Sequence, residues 1–253
     1  MSEPQLEMPA WGAPANVGAV MTLRGGGVSE GPYASLNLGG RCGDDPGHVA
    51  ANRRRLREHL SLPGEPRWLR QVHGARVVAA HDAAPDTEQA DASWTDRPGV
   101  VCAILAADCM PVLLCDRAGR VVAAAHAGWR GLAAGVLEAT VAALPVDPGQ
   151  LLAWRGPAIG PGRFEVGAEV RDAFCDIDTA AAAAFRPGAS GKYLADLYAL
   201  ARQRLLRVGV SEVSGGGQCT VSEPARFFSF RRDSVTGRMA ALAWLRPSSG
   251  RQS

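Results

Sequence analysis

The clearest alternation of apolar and polar positions lies in residues 107–131. Val112–Asp116 and Val121–Ala125 are largely apolar runs, and the polar residues between them predict a tight hairpin turn. If Asp116 faces Val121, Cys109 lies opposite Gly128, and His126 lies diagonal to Cys109 on the same face. A register shift of one residue would send the two side chains to opposite faces.

Other apolar segments extend this pattern. Strands are predicted at Val17–Leu23, Ala90–Thr95, Val100–Leu105, Leu151–Trp154 and Arg238–Leu245, and a hairpin or bent strand at Trp68–Ala80 with its bend at His73–Gly74. Helical spacing predicts helices at Pro46–Leu60 with Asp45 as N-cap, Leu132–Leu144, Glu165–Phe174, residues 178–185 and Tyr193–Val208.

Strands and helices therefore mix along the chain without a regular βαβ order. This arrangement favours an α+β fold with mixed sheets over a doubly wound Rossmann fold. No internal repeat or clear linker is present, so we predict one catalytic domain over residues 1–246 and a disordered tail over residues 247–253. No GxGxxG or Walker loop occurs in a suitable context.

Composition narrows the function classes. The formal net charge is only +2 despite 27 basic residues, so the chain has no broad basic field for nucleic acid. No run approaches the roughly 20 apolar residues of a membrane span, and no signal peptide is recognisable. We therefore expect a cytoplasmic protein. Its six cysteines form no CxxC pair, which predicts free thiols, with Cys102 and Cys115 in the core.

Three residues stand out as candidate metal ligands. His73 lies at the bend of the predicted segment Trp68–Ala80 and precedes Gly74. His126 directly follows the predicted strand Val121–Ala125 and lies two positions before Gly128. Cys109 follows Asp108, shortly after the predicted strand Val100–Leu105. Two imidazoles and a thiolate suit Zn²⁺ with a fourth position open for water or substrate. The other histidines, His48, His59 and His81, are expected to be exposed and without function.

Other interpretations of the same residues remain open. A single copper ion accepts this ligand set, but a multicopper oxidase needs many imidazoles, and the chain has five histidines. Without metal, Cys109 and His126 could form a thiolate–imidazole dyad oriented by Asp108 or Gln71, acting as a hydrolase or amidase on a cell-wall precursor. A non-enzymatic metal-binding module, with a closed site, is the fourth interpretation.

Several motifs together resemble a known family. They are SLNLGGRCGDD (35–45), QVHG (71–74), ADCMP (107–111), HAGWRG (126–131), GPAIG (156–160), FEVG (164–167) and FFSFRRD (227–233) with TGR (236–238). The chain is similar to the laccase-domain or polyphenol-oxidase-like family, whose members are also called multifunctional purine nucleoside enzymes and bacterial peptidoglycan editing factors. The resemblance covers nearly the whole chain.

The resemblance implies a layered α/β/β/α sandwich with mixed sheets, similar to the toxin-type cysteine hydrolase fold. It also implies zinc on His73, Cys109 and His126. The implied activities are phosphorolysis of adenosine, inosine, guanosine and methylthioadenosine, and deamination of adenosine. Members of this family are mostly monomers, so a monomer that binds a purine nucleoside and phosphate is expected.

Phosphorolysis needs an anion site near the ribose, and arginine binds phosphate in a fork geometry. We predict that Arg53 and either Arg231 or Arg232 hold phosphate, with Asn37 bonded to ribose or phosphate. The remaining candidate substrate-binding residues flank the proposed ligands in the sequence: Gln71, Asp108 and Arg130. Arg130 could instead pair with Asp108 or lie on the surface.

Overall fold

The computed structural model describes residues 2–247. The strands are β1 Leu6–Glu7, β2 Val17–Thr22, β3 Pro66–Arg67, β4 Val77–Ala79, β5 Ala92–Thr95, β6 Val101–Ala106, β7 Met110–Asp116, β8 Val122–Ala127, β9 Leu151–Arg155, β10 Glu165–Val166, β11 Phe185–Pro187, β12 Tyr193–Ala195, β13 Glu212–Gly215 and β14 Met239–Leu245. The helices are α1 Pro46–His59, α2 Trp129–Ala133, α3 Val136–Ala143, α4 Ala168–Cys175, α5 Leu197–Arg207 and α6 Phe230–Asp233, with short 3₁₀ turns between some of them.

Two large sheets and one small sheet form the framework. The first has the order β1-β2-β14-β6-β3, the second β13-β9-β7-β8-β5-β4, and the small sheet β10-β12-β11. Both large sheets are mixed, because β3 runs parallel to β6, β4 to β5, and β13 to β9, whereas their other neighbours are antiparallel. The expectation of mixed sheets is confirmed.

Alternate side chains on the central strands explain the layers. On β7, Leu113 packs between the two large sheets, whereas Val112 faces the helices α3, α4 and α5 on the other side. On the first sheet, Ile104 faces the inner layer and Ala103 packs towards α1. The order is helix, sheet, sheet, helices, so the predicted α/β/β/α sandwich is confirmed.

The central hairpin has the predicted register. Met110 pairs with Ala127 and Pro111 with His126 in β7 and β8. Since Cys109 directly precedes β7 and side chains alternate along a strand, Cys109 and His126 lie on one face. The hairpin therefore brings its two candidate ligands to the same end of the second sheet.

The helix boundaries show where sequence periodicity was insufficient. Helix α1 starts at Pro46, and Asp45 caps it by accepting hydrogen bonds from the N–H groups of Gly47 and His48. The predicted single helix Leu132–Leu144 is wrong, because Gly135 adopts φ +90° and separates α2 from α3. A left-handed residue interrupts the helical hydrogen-bond ladder, and glycine adopts it at low cost.

Four other segments also differ from their predicted secondary structure, because all or part of each has another conformation. The predicted helices Glu165–Phe174 and Tyr193–Val208 each start with a short strand of the small sheet and become helical afterwards, in α4 and α5. Residues 179–184 form a 3₁₀ helix rather than an α-helix. The predicted hairpin or bent strand over Trp68–Ala80 is largely wrong, because only Val77–Ala79 forms a strand there (β4, in the second sheet) and Arg70 makes an isolated bridge with Gln89.

Two predictions on solvent exposure and cysteine state can be compared directly. All six cysteines are free thiols, and Cys102 and Cys115 are buried, as predicted. His48 and His81 are half-buried, and Nδ1 of His81 lies 3.3 Å from Thr95 Oγ1, so the expectation of exposure is wrong for both, whereas His59 is exposed. No helix within residues 2–247 has the length and apolar character to cross a bilayer. Apart from Pro247, the predicted disordered tail lies outside the described residues.

A candidate metal centre at the base of an arginine-lined cavity

His73, Cys109 and His126 converge at one end of the second sheet. One ligand atom from each side chain lies within 4.8 Å of the others, and the two imidazole rings are 4.8 Å apart between centroids. His126 is buried, Cys109 half-buried and His73 exposed, so the cluster is open on one side. Within residues 2–247 this is the one cluster of three or more His, Cys, Asp or Glu side chains with such spacing.

Asp91, directly before β5, contacts both histidines. Its carboxylate accepts a hydrogen bond from the His73 backbone N–H at 2.9 Å and lies 2.8 Å from His126 Nδ1. Because Nδ1 of His126 faces this carboxylate, Nε2 is the ring nitrogen available to Cys109 or to a metal.

The electrostatics of the cluster favour a thiolate. Burial raises the pKa of the Cys109 thiol, but the positive charge of His126 and hydrogen bonds from His126 and His73 lower it to about 6. Burial lowers the pKa of His126, and the Cys109 charge together with Asp91 more than offsets that effect and raises it. A thiolate is the form in which cysteine binds a metal or acts as a nucleophile.

These residues fit a metal ion. The donor set is two imidazoles and one thiolate, and a carboxylate holds the second nitrogen of one imidazole, which is the usual outer contact of a histidine ligand. Three protein ligands with one open side match a catalytic rather than a structural arrangement.

The open side of the cluster faces a cavity of about 1150 Å³. Glu65, Asp86 and Asp108 are its acidic residues. More numerous are the arginines of its wall, which are Arg41, Arg53, Arg54, Arg57, Arg130, Arg231 and Arg238. Such an excess of guanidinium groups in a concave site favours an anionic ligand.

Two of the three arginines predicted to hold phosphate have carboxylate partners already. Arg53 lines the cavity, but both oxygens of Asp86 lie 3.0–3.1 Å from its Nη1, and its guanidinium stacks on Trp68. Arg232 does not line the cavity; it binds Asp233 at 2.7 Å and donates to backbone carbonyls, including that of Phe227.

Arg231 and Arg130 differ from these two. Both line the cavity, and among residues 2–247 no carboxylate lies within ion-pair distance of either guanidinium. Arg231 donates from Nη1 to the carbonyl of Glu165, and Arg130 stacks on Trp129. Of the two alternative roles considered for Arg130, the ion pair with Asp108 is therefore absent, and the residue is exposed.

The other predicted substrate-binding residues support the cavity wall. Asn37 is fully buried outside the lining, where its Oδ1 accepts hydrogen bonds from the N–H groups of Gly39 and Arg238. Gln71 lines the cavity, yet its amide pairs at 2.8 Å with both backbone groups of Leu105. Asp108, at φ +86°, accepts from Thr220 Oγ1 and the Arg231 N–H.

Several residues of the site were not predicted from the sequence, among them Asp91, Phe230 and Arg238. Asp91 is the second residue of the predicted strand Ala90–Thr95, and a carboxylate close to a strand end was the available signal. Phe230, the first residue of α6, and Arg238, directly before β14, also line the cavity, and Phe230 is exposed. Both lay in recognised motifs, but nothing in the sequence shows which residues of those motifs reach the cavity.

The sequence matches the model of a known protein family over most of its length. Residues 18–246 match the family described as multi-copper polyphenol oxidoreductase laccase. The chain belongs to this laccase-domain family. The resemblance inferred from the motifs is thereby confirmed over nearly the whole chain.

Named relatives in the family share most of their length with this chain. It is 55% identical over 241 residues to the Escherichia coli protein named purine nucleoside phosphorylase YfiH, covering 95% of this chain and 99% of that protein. It is 58% identical over 238 residues to purine nucleoside phosphorylase PA4543 of Pseudomonas aeruginosa, covering 94% and 97%. The crystal structure of Neisseria meningitidis protein NMB0706 superposes with a TM-score of 0.93 at 53% identity, covering 96% and 100%.

Proposed function

We propose that this laccase-domain protein is a zinc-dependent purine nucleoside phosphorylase. The observation that carries the proposal is the His73–Cys109–His126 cluster, open towards an arginine-lined cavity. The names of the relatives at 55–58% identity support the reaction class. Five histidines and a single three-residue cluster among residues 2–247 argue against a multicopper oxidase.

His73, Cys109 and His126 would hold the zinc ion. Zinc suits this mixed nitrogen and sulfur donor set, and when bound it supplies Lewis acidity and lowers the pKa of water. That chemistry would serve adenosine deamination, which we propose as a second activity of the same site. Phosphorolysis of methylthioadenosine needs no further group, because that substrate differs from adenosine only at the 5′ position of the ribose.

Phosphorolysis joins phosphate to C1′ of the ribose as the purine leaves. The chain's part is to bind phosphate beside the sugar and to exclude water. We assign phosphate binding to Arg231 and Arg130. Both face the cavity without a carboxylate partner among the described residues, as Arg41, Arg54 and Arg238 also do, and these two are chosen for their connection to the cluster. The backbone of each is connected to the cluster. The Arg231 N–H donates to the carboxylate of Asp108, which directly precedes Cys109, and Arg130 follows His126 by four positions.

The deciding experiment combines metal analysis with turnover. Wild-type protein without a tag and Cys109→Ala protein are analysed for metal, and each is assayed with adenosine with and without phosphate. About one zinc ion per chain, with adenine formation that requires phosphate and both lost in Cys109→Ala, is the expected result. Metal-free wild-type protein of full activity would overturn the zinc assignment.

A metal-independent cysteine hydrolase is the second candidate. It is favoured by the thiolate of Cys109 beside a positively charged His126, with Asp91 rather than Asp108 or Gln71 in contact with the imidazole. It predicts activity that survives chelation but is lost on alkylation of Cys109. Cytoplasmic location and a monomeric state remain predictions from the sequence.

A further inference from the structure

Asp91 is a buried carboxylate that does not belong to the three proposed ligands. Its side chain is fully shielded from solvent and accepts hydrogen bonds only from N–H groups. The donors are the backbone N–H groups of Val72 at 3.1 Å, His73 at 2.9 Å and Gly74 at 2.8 Å, and Nδ1 of His126 at 2.8 Å.

The main chain of Asp91 is fixed as well. Its carbonyl accepts from the His126 N–H at 2.7 Å, and its own N–H donates to Arg76 at 3.0 Å. The carboxylate therefore has little freedom to shift, and the groups that are hydrogen-bonded to it are held in place relative to β5 and β8.

The loop that carries His73 depends on this carboxylate. His73 has φ +60°, a left-handed conformation that is unfavourable for a residue with a side chain. Neither His73 nor its neighbours Val72 and Gly74 belong to a strand, so their N–H groups receive no sheet partners. Three consecutive amides bound to one carboxylate replace those partners and hold the loop against β5.

We propose that Asp91 is the positioning residue for the metal centre, fixing both histidine ligands at once. It sets the tautomer and ring orientation of His126 and the backbone position of His73. The part of this inference that concerns metal affinity rests on the proposed zinc site, whereas the part that concerns the loop does not. Displacement of this one carboxylate moves two of the three ligands, although it touches no metal itself.

A merely structural carboxylate provides the control. Asp116 is also fully buried, accepts from the N–H groups of Arg120 and Val121, and lies at the opposite end of the same hairpin. Its removal costs the protein buried hydrogen bonds without touching the ligands. Asp116→Ala therefore separates a general loss of stability from a specific effect on the metal centre.

The test measures metal affinity and geometry directly. Zn²⁺ affinity of metal-free protein is measured by competition with a chromogenic chelator, and Co²⁺ binding by the visible spectrum, which reports ligand geometry. Asp91→Asn replaces one acceptor oxygen with a donor that faces other donors. We expect it to weaken Zn²⁺ binding 10- to 100-fold and to change the Co²⁺ spectrum, with Asp116→Ala at wild-type values.

A conservative variant and a metal-free measurement complete the design. Asp91→Glu keeps the carboxylate but moves it, so its affinity should lie between those of wild type and Asp91→Asn; it carries the test if Asp91→Asn does not fold. In metal-free protein, hydrogen exchange of the amides of residues 72–74 should accelerate at least tenfold in Asp91→Asn and not in Asp116→Ala.

Two outcomes would contradict the positioning role of Asp91. Wild-type Zn²⁺ affinity in both Asp91 variants, or an equal loss in Asp116→Ala, would overturn the positioning role. If wild-type protein binds neither Zn²⁺ nor Co²⁺, the proposed zinc enzyme fails, and the exchange rates of residues 72–74 still decide whether Asp91 holds the loop.

Discussion

A β-carbon built on Gly128 would lie 2.6 Å from Sγ of Cys109, closer than any ordinary contact. Gly128 has φ −67°, so backbone conformation does not require glycine there. The requirement comes from the neighbour, because the hairpin places the thiol of Cys109 directly over this residue. The first glycine of the HAGWRG motif thus leaves room for the proposed sulfur ligand.

Gly128→Ala should therefore damage the metal centre. The added methyl group displaces the Cys109 sulfur, and we expect bound zinc to fall at least tenfold with a parallel loss of turnover. Elemental analysis after gel filtration measures the first effect. Gly162→Ala is the matched control, since a β-carbon there meets no atom within 4 Å. Full zinc content in Gly128→Ala would contradict the prediction.

The pKa of Cys109, lowered to about 6, predicts its alkylation profile in metal-free protein. At pH 7 such a thiol is roughly nine-tenths thiolate, whereas a thiol of pKa about 8.5 is only a few per cent ionised. As the pH falls through about 6 the thiolate is protonated, so the rate with iodoacetamide should halve there. Peptide mass spectrometry follows each cysteine, and buried Cys102, whose pKa burial raises to about 12, should stay unmodified. A midpoint near 8.5 would contradict the assignment.

Arg231 and Arg53 should respond differently to removal. Arg231→Ala takes away a guanidinium that we assign to phosphate, and the loss of one charged hydrogen bond, about 1.5–3 kcal/mol, predicts a phosphate KM about 10- to 100-fold higher. Arg53→Ala breaks the pair with Asp86 and should lower the Tm while leaving the phosphate KM within about twofold. Steady-state kinetics at saturating nucleoside distinguish them. A larger effect of Arg53→Ala on KM would reverse the assignment.

Asp116 should contribute stability that depends on pH. Burial raises the pKa of its carboxyl, but the Arg120 side chain and the N–H groups of Arg120 and Val121 outweigh this and lower it. We expect Asp116→Ala to cost about 1–3 kcal/mol at pH 7, because buried N–H groups lose their acceptor. A lowered folded-state pKa means that this stabilisation is complete above the unfolded value of about 3.9 and lost as the pH falls further. Urea unfolding of both proteins should show the difference narrowing below pH 4; a widening difference would contradict it.

Local pattern was sufficient where a residue's neighbours in the sequence decide its structure. The turn between Asp116 and Val121 set the register that brings Cys109 and His126 to one face, and the structure has that register. Asp45 and Pro46 marked the start of α1 for the same reason. The α+β class followed from the order of such segments.

Local pattern was insufficient where a distant strand competes for the backbone. Residues 165–166 and 193–195 belong to segments with helical periodicity, yet they pair with each other in the small sheet. Gly135 ends a run of good helix formers because its own conformation, not its neighbours' propensity, decides the break. Neither outcome is encoded in the spacing of apolar residues.

The sequence by itself determined the hairpin, the three candidate ligands and the family. Each of these can be recognised from short motifs, whose residues are neighbours in the sequence. Only the tertiary structure decided which arginines face the cavity without a carboxylate partner, and that Asp91 contacts both histidines. Ion pairs such as Arg53–Asp86 and contacts such as Asp91–His126 join residues more than 30 positions apart. Their existence depends on how the strands and loops pack, and that packing is a property of the whole fold.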